Sequence, residues 1–304
     1  MWTRRRVLHT LAAAGAHAAF QPSASFAQAR SILTRSIPST GEQLPVVGLG
    51  SWITFNVGND AVARDACAEV MRNFVEAGGR LIDSSPMYGS SQPVIGYGLR
   101  KAALGARVFA ADKVWTSSRN GREQIEKSRA YWQVNRFDLL QVHNLLNWEQ
   151  HLPALFAMKK AGEVRFVGIT TSEGRRHGDV EQLMRSHPLD FVQVTYNPVD
   201  REVEQRILPL ARDRGIAVIV NRPFRGGSLL SGLARQPLPS WAADIDCTSW
   251  AQIVLKHIVS HPAVTCAIPA TTSVAHVREN VNAAYGRLPD ASLRQRIIAA
   301  VERA

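Results

Sequence analysis

The chain has little cysteine. Its three residues, Cys67, Cys247 and Cys266, show no metal-ligand spacing and are too few for a disulfide framework. They leave room for one disulfide in an oxidising compartment, and the plainer reading is three buried free thiols. No metal site is expected. Beyond the N-terminal segment no stretch reaches the about 18 apolar residues that a bilayer-spanning helix needs, so no stable membrane span is expected. Low-complexity tracts and internal repeats are also absent, which excludes solenoid and compositionally disordered classes. Acidic residues are the scarcer charge, 25 against 36 basic ones, for a net charge of +11. The basic residues are scattered and no nucleic-acid motif accompanies them. The expectation is a mildly basic solvated surface with no nucleic-acid partner. Such a surface favours small anions, nucleotides among them.

What is present begins with an address. Thr3-Arg4-Arg5-Arg6-Val7-Leu8 has the form of a twin-arginine export motif. An Ala-rich apolar run from Val7 to Phe20 follows, then Pro22, then Ala27-Gln28-Ala29 as a small-x-small cleavage site. Residues 1–29 are therefore expected to be a signal peptide read by the twin-arginine export machinery. The domain of residues 30–304 would then be periplasmic or secreted and soluble after cleavage. No acidic residue precedes Glu42, so removing Arg4, Arg5 and Arg6 leaves a charge of about +8.

The remaining chain alternates short apolar runs with longer amphipathic ones. Ile32–Arg35 and Gln43–Val47 flank Ser39-Thr40-Gly41-Glu42, which predicts a hairpin. Strands are then expected at 46–49, 80–82, 108–111, 138–142, 164–169, 191–194, 216–220 and 264–268. Helices are expected between and after them, at 61–76, 92–103, 122–133, 149–160, 179–185, 202–214, 249–259 and 274–284. Eight such units predict an α/β fold: a closed (β/α)8 TIM barrel, with an N-terminal β-hairpin and an extra C-terminal helix at 291–303. The stretch 233–243 has no clear period, and the loop 229–243, with Trp241, is expected to be a lid over the site.

Barrel chemistry gathers where strands end. Asp83 ends the second strand, with Tyr88 five residues on. Asp112-Lys113 ends the third and His143 the fourth. The set is chemically coherent. A phenol is a poor acid at neutral pH, and the Lys113 ammonium is expected to lower its pKa. Asp83 would hold Lys113, His143 would orient a substrate carbonyl, and Tyr88 would protonate its oxygen as hydride arrives from a reduced nicotinamide.

These residues carry a resemblance. Val47-Gly48-Leu49-Gly50, the stretch Leu81-Ile82-Asp83 through Tyr88-Gly89-Ser90-Ser91, Lys113, Leu140-Gln141-Val142-His143 and Val167-Gly168-Ile169 resemble the motifs of the aldo-keto reductase family, over roughly 32–284. The resemblance implies a catalytic tetrad at Asp83, Tyr88, Lys113 and His143. It also implies NADPH or NADH bound without a Gly-x-Gly-x-x-Gly loop, and reduction of an aldehyde, ketone or sugar. It places cofactor contacts at Gly50, Ser51, Trp52, Thr170, Thr171, Gln193, Asn221, Pro223, Phe224, Ile268, Ala270, Thr271, Thr272, His276, Glu279 and Asn280. Ser273 is either a further contact or the cap of the last barrel helix. Four of these positions depart from the family pattern. Thr171 replaces an amide, Asn221 an aromatic that stacks on nicotinamide, and Ala270 and His276 two cations that grip a 2′-phosphate. Arg278 or Arg225 would have to supply the missing charge. Trp52, Trp115 and His143, with Trp148 beside them, are expected to wall the substrate pocket. The alternative to catalysis is a non-catalytic barrel that binds a cofactor or small molecule in the periplasm.

Overall fold

The computed structural model describes residues 31–303. Residues 31–303 belong to one compact unit. Two short strands, β1 (Thr34–Ser36) and β2 (Gln43–Pro45), pair antiparallel across the Ser39–Glu42 turn. Gly41 takes φ +76° there, a conformation that only glycine adopts without strain.

Eight parallel strands follow: β3 (Leu49–Gly50), β4 (Leu81–Asp83), β5 (Phe109–Val114), β6 (Phe137–His143), β7 (Val164–Thr170), β8 (Phe191–Thr195), β9 (Ala217–Asn221) and β10 (Cys266–Ala267). Each pairs with the next in chain order. The ring closes where β10 meets β3: Val47 bridges Ala267 and Gly50 bridges Ala270. The Gly48 amide donates to the Ala267 carbonyl at 2.8 Å, and that of Gly50 to the Pro269 carbonyl at 2.9 Å. The expected (β/α)8 barrel, hairpin and final helix are all present.

The helices are α1 (Ala61–Glu76), α2 (Ser91–Lys101), α3 (Gly121–Trp132), α4 (Trp148–Lys160), α5 (His177–Ser186), α6 (Ile207–Arg214), α7 (Ser228–Leu233), α8 (Trp250–Val259), α9 (Val274–Asn282) and α10 (Ala291–Glu302). Side-chain caps start several of them. Asp60 accepts from the Ala63 amide at α1, Ser249 from Gln252 at α8 and Asp290 from Leu293 at α10. The helix expected over 202–214 is split. Glu202–Glu204 form a 3-10 turn and α6 starts only at Ile207. Pro209 explains the break: it has no N–H for the Gln205 carbonyl and its ring would press on that group. The 229–243 stretch is not a bare loop. It contains most of α7 and, after a turn, a 3-10 helix at Ser240–Ile245. Six residues are too few for a helical period to show in sequence.

Two apolar layers form the core. One lies between the strands and the ring of helices. The other fills the barrel, with Leu81, Phe109, Leu139, Phe166 and Phe191 stacked above Ile37 and Leu44 of the hairpin. The hairpin thus plugs the bottom. Alternation along each strand then decides what faces the top of the bore. Two residues beyond Leu81 is Asp83; four beyond Phe109 is Lys113. Two and four beyond Leu139 are Gln141 and His143. Thr170, Gln193 and Asn221 follow by the same count from Phe166, Phe191 and Ile219.

Candidate active site

The polar layer at the top of the bore is buried and extensively paired. Lys113 Nζ donates to Asp83 and, at 2.8 Å, to the Ser84 carbonyl. Both side chains are buried. Asp83 also accepts from the side-chain amides of Gln193 at 2.9 Å and Gln141 at 3.3 Å. Burial alone would push the Lys113 ammonium down, but Asp83, Tyr88 and Asp112 together hold it above its usual range. Lys113 is a fixed cation.

Tyr88 and His143 stand above this pair. Lys113 Nζ lies 5.3 Å from the Tyr88 ring centroid, and the two rings meet edge to face with centroids 5.6 Å apart. A turn brings Tyr88 there: its amide donates to the Ser85 carbonyl at 3.0 Å, with Pro86 at the position where a fixed φ favours a β-turn. The expectation that Lys113 lowers the Tyr88 pKa needs correcting. Lys113 does act downward, but burial of the phenol is the larger effect and the net shift is upward. His143 is buried, and burial, with the cations of Lys113 and Arg175, drives its pKa down to about 2. It is neutral at any physiological pH. Asp112 faces away from the bore, between α2 and α3, where Gln92 donates to it at 2.7 Å. Burial raises its pKa to about 7.

Above the rim opens a cavity of about 890 Å³. It is lined by Asp83, Tyr88 and His143 and by most of the expected cofactor positions: Gly50, Ser51, Trp52, Thr170, Gln193, Asn221, Pro223, Phe224, Ile268, Ala270, Thr271, His276, Glu279 and Asn280. Thr171, Thr272, Ser273 and Trp115 do not line it. The Thr171 side chain is buried, while its backbone joins β8 and the Asn221 amide. Thr272 points outward, and Ser273 caps α9 by accepting from the His276 amide. Trp115 is half-exposed, and Trp148 packs edge to face on His187 instead. From the 229–243 stretch, Leu230, Ser231, Ala234, Gln236 and Leu238 border the cavity, whereas Trp241 is buried beneath Arg296.

The donor set suits a nicotinamide nucleotide. Thr170, Gln193 and Asn221 present to the cavity hydroxyl and amide groups of the kind that would hold a carboxamide, and each is already engaged within the protein. Thr170 donates to Gln193 at 3.2 Å, and Asn221 accepts from Thr195 at 2.6 Å. Asn221 is thereby held sideways as a polar edge. Trp52 and Phe224 are the aromatic surfaces on this wall. At the α9 end, Ala270 and His276 line the cavity where the resemblance implied two cations. Arg278 donates to Asn73 at 2.9 Å, and Arg225 pairs with Asp200 at 3.2 Å. Neither lines the cavity.

Several further residues reach or border the site without having been singled out by sequence, Ser85, Glu173, Arg175 and Arg222 among them. Ser85 Oγ lies 2.7 Å from His143 Nδ1. Glu173 bridges Arg175 at 3.2 Å and Arg222 at 3.1 Å, and Arg222 lies 5.6 Å from the Trp52 ring. The Ser-Pro pair before Tyr88 was a readable turn signal. Glu173 and Arg175 share the loop after β7 while Arg222 follows β9, and no local pattern links the two segments.

A parallel eight-stranded barrel whose upper rim combines a buried ammonium–carboxylate pair, a phenol and a neutral imidazole defines a nicotinamide-dependent carbonyl-reducing oxidoreductase. The chain belongs to the aldo/keto reductase family, whose model matches residues 46–297. It is 28% identical to the methylglyoxal reductase YeaE of Escherichia coli over 82% of this chain and 89% of that protein. Identity to the NADH-specific methylglyoxal reductase of the same organism is 25%, over 67% and 71%. Among solved structures, an aldo-keto reductase of Bacillus halodurans in its holo form superposes with a TM-score of 0.73 at 20% identity, covering 89% of this chain and 96% of that one. A Klebsiella pneumoniae aldo-keto reductase in complex with NADPH gives 0.71 at 20%, covering 90% and 95%. At that identity the likeness is one of fold. The chain is an NAD(P)H-dependent oxidoreductase.

Proposed function

We propose that this enzyme reduces small aldehydes or ketones to alcohols with Tyr88 as proton donor, and that it uses NADH about as readily as NADPH. The observation that carries the reading is the Asp83–Lys113 pair beneath Tyr88 and His143 at the floor of one cavity. A bound reduced nicotinamide supplies the hydride. His143, neutral, donates an N–H to the carbonyl oxygen and turns its carbon toward the cofactor wall. Tyr88 releases its proton to that oxygen as negative charge develops there. The buried Lys113 cation stabilises the phenolate left behind, and Asp83 keeps that cation in place. Gln193 and Gln141 hold Asp83 in turn. The complete proton-transfer group speaks against the non-catalytic alternative.

The cofactor preference rests on the α9 end, where Ala270 and His276 replace cations and Arg278 and Arg225 are engaged elsewhere. Charge-assisted contacts to a phosphate are among the stronger hydrogen bonds, so their absence removes the main reason to favour NADPH. A relative named NADH-specific supports the same reading. Two relatives named as methylglyoxal reductases make methylglyoxal the first substrate to try.

The signal expected in residues 1–29 lies outside the described residues. On its motifs alone, the enzyme is exported folded by the twin-arginine route, carrying its nucleotide into a compartment poor in free cofactor. The test is purified protein from Arg30 onward, titrated with NADH and NADPH and assayed on methylglyoxal and a panel of aldehydes. Comparable affinities with turnover support the reading. A large preference for NADPH contradicts the cofactor assignment. N-terminal sequencing of protein from the periplasmic fraction tests the cleavage after Ala29; intact chain in the cytoplasm would refute export.

A further inference from the structure

A neutral imidazole carries one N–H, and which nitrogen bears it decides what His143 offers the cavity. With the proton on Nε2 it offers a donor to a carbonyl oxygen. With the proton on Nδ1 it offers a lone pair, which repels that oxygen.

Ser85 settles the choice. It is fully buried, and its Oγ lies 2.7 Å from His143 Nδ1. The same Oγ accepts the Met87 N–H at 3.2 Å, the usual bond from a turn serine to the amide two residues on. Among the described residues it makes no other hydrogen bond. If Nδ1 carried the proton, Ser85 Oγ would accept two N–H groups, and its own hydroxyl hydrogen would be buried with no acceptor. Buried polar groups are nearly always paired, so the hydroxyl donates to Nδ1. The ring proton is then on Nε2.

The backbone turn fixes this geometry. The Ser85 carbonyl accepts the Tyr88 amide, its hydroxyl accepts the Met87 amide, and Pro86 stiffens the chain between them. One turn therefore positions Tyr88 and orients the partner of His143 at once. Protonation of both ring nitrogens is opposed by burial and by two nearby cations, Lys113 and Arg175.

We propose that Ser85 is a positioning residue that holds His143 as its Nε2–H tautomer, so that the resting site already presents a donor to the substrate oxygen. This rests on the reductase reading above and deepens it.

The tautomer can be read without turnover. Full-length domain labelled with 15N-histidine is compared by NMR as wild type, Ser85→Ala and Ser85→Thr, with His143→Gln to assign the resonance. The wild type is expected to show an unprotonated, hydrogen-bonded Nδ1 and a protonated Nε2 from about pH 5.5 to 8. In Ser85→Ala the Nδ1–H tautomer becomes populated, and kcat for aldehyde reduction falls roughly 5- to 10-fold, with nicotinamide affinity unchanged. Ser85→Thr, which keeps the hydroxyl, restores the single tautomer and most of kcat. A wild-type proton on Nδ1, or a Ser85→Ala spectrum and kcat like the wild type's, overturns the proposal. If Ser85→Ala does not fold, the wild-type spectrum alone decides. A wild type that bears the proton on Nε2 yet reduces no carbonyl would sink the reductase reading while bearing out the tautomer.

Discussion

At the scale of single residues, burial outweighs pairwise charge. Lys113 attracts the Tyr88 phenolate, yet the phenol is held above its ordinary range because desolvation is larger. A reductase gains from this: the donor stays protonated until the substrate oxygen becomes negative. His143 follows the same logic in the opposite chemical sense. Its pKa of about 2 predicts that kcat/KM for aldehyde reduction shows no inflection near pH 6.5. An inflection there that disappears in His143→Gln would contradict the assignment. The same group has a stability signature. The unfolded imidazole takes up a proton below about pH 6.5 and the folded one does not, so His143 costs stability as pH falls through that value. Asp112 acts oppositely. Its folded pKa is raised from 3.8 to about 7, so its contribution is full below about pH 4 and is lost as pH rises to about 7. Asp112→Asn should flatten the fall of Tm between those pH values, as measured by calorimetry. An unchanged slope would show that Asp112 does not carry it.

At the scale of elements, the seam of the barrel is a point of close approach. A Cβ on Gly48 would meet the Leu81 carbonyl at 2.9 Å, Cys266 Sγ at 3.1 Å and Ile268 Cγ2 at 3.1 Å. Gly48→Ala is therefore expected to lose about 1–3 kcal/mol, read as a lower midpoint in urea; an unchanged midpoint would mean the seam yields freely. This scale also shows what sequence could tell. Strand-end residues are legible because Asp83, Lys113 and His143 each end a short apolar run, and the fold adds that period-2 alternation turns all three to the bore. Helix α1 was legible to the residue because a long amphipathic period is hard to mistake. The break before α6 required weighing Pro209 against the surrounding period. Thr171 is assigned by position in a motif and Trp115 by following a strand, and only the fold shows that neither lines the cavity. Glu173 and Arg175, on the loop after β7, meet Arg222 beyond β9, a contact that no local pattern encodes.

At the scale of the molecule, a largely buried cation helps tie the last helix to the barrel. Arg294 on α10 donates to Tyr196 Oη at 2.6 Å, to Ser260 Oγ at 2.7 Å and to Glu204 at 3.0 Å. Its side chain is 14% exposed, so its removal leaves partly buried partners unsatisfied. Arg294→Ala should cost about 2 kcal/mol and lower Tm by roughly 5 °C, with aldehyde turnover retained, since none of these residues lines the cavity. Loss of turnover at full stability would show a coupling to the site. The three cysteines are buried free thiols, and burial raises each above the ordinary thiol range, so oxidising conditions should leave the enzyme unaltered.

The central claim is that Tyr88 gives the proton in a nicotinamide-dependent carbonyl reduction. Its most direct test is kcat/KM for aldehyde reduction in wild type and Tyr88→Phe, with NADH affinity measured on both by fluorescence titration. Phenylalanine keeps the ring against His143 and removes only the hydroxyl. The account predicts a fall of at least about 100-fold in kcat/KM with cofactor affinity unchanged. Undiminished turnover in Tyr88→Phe would contradict it.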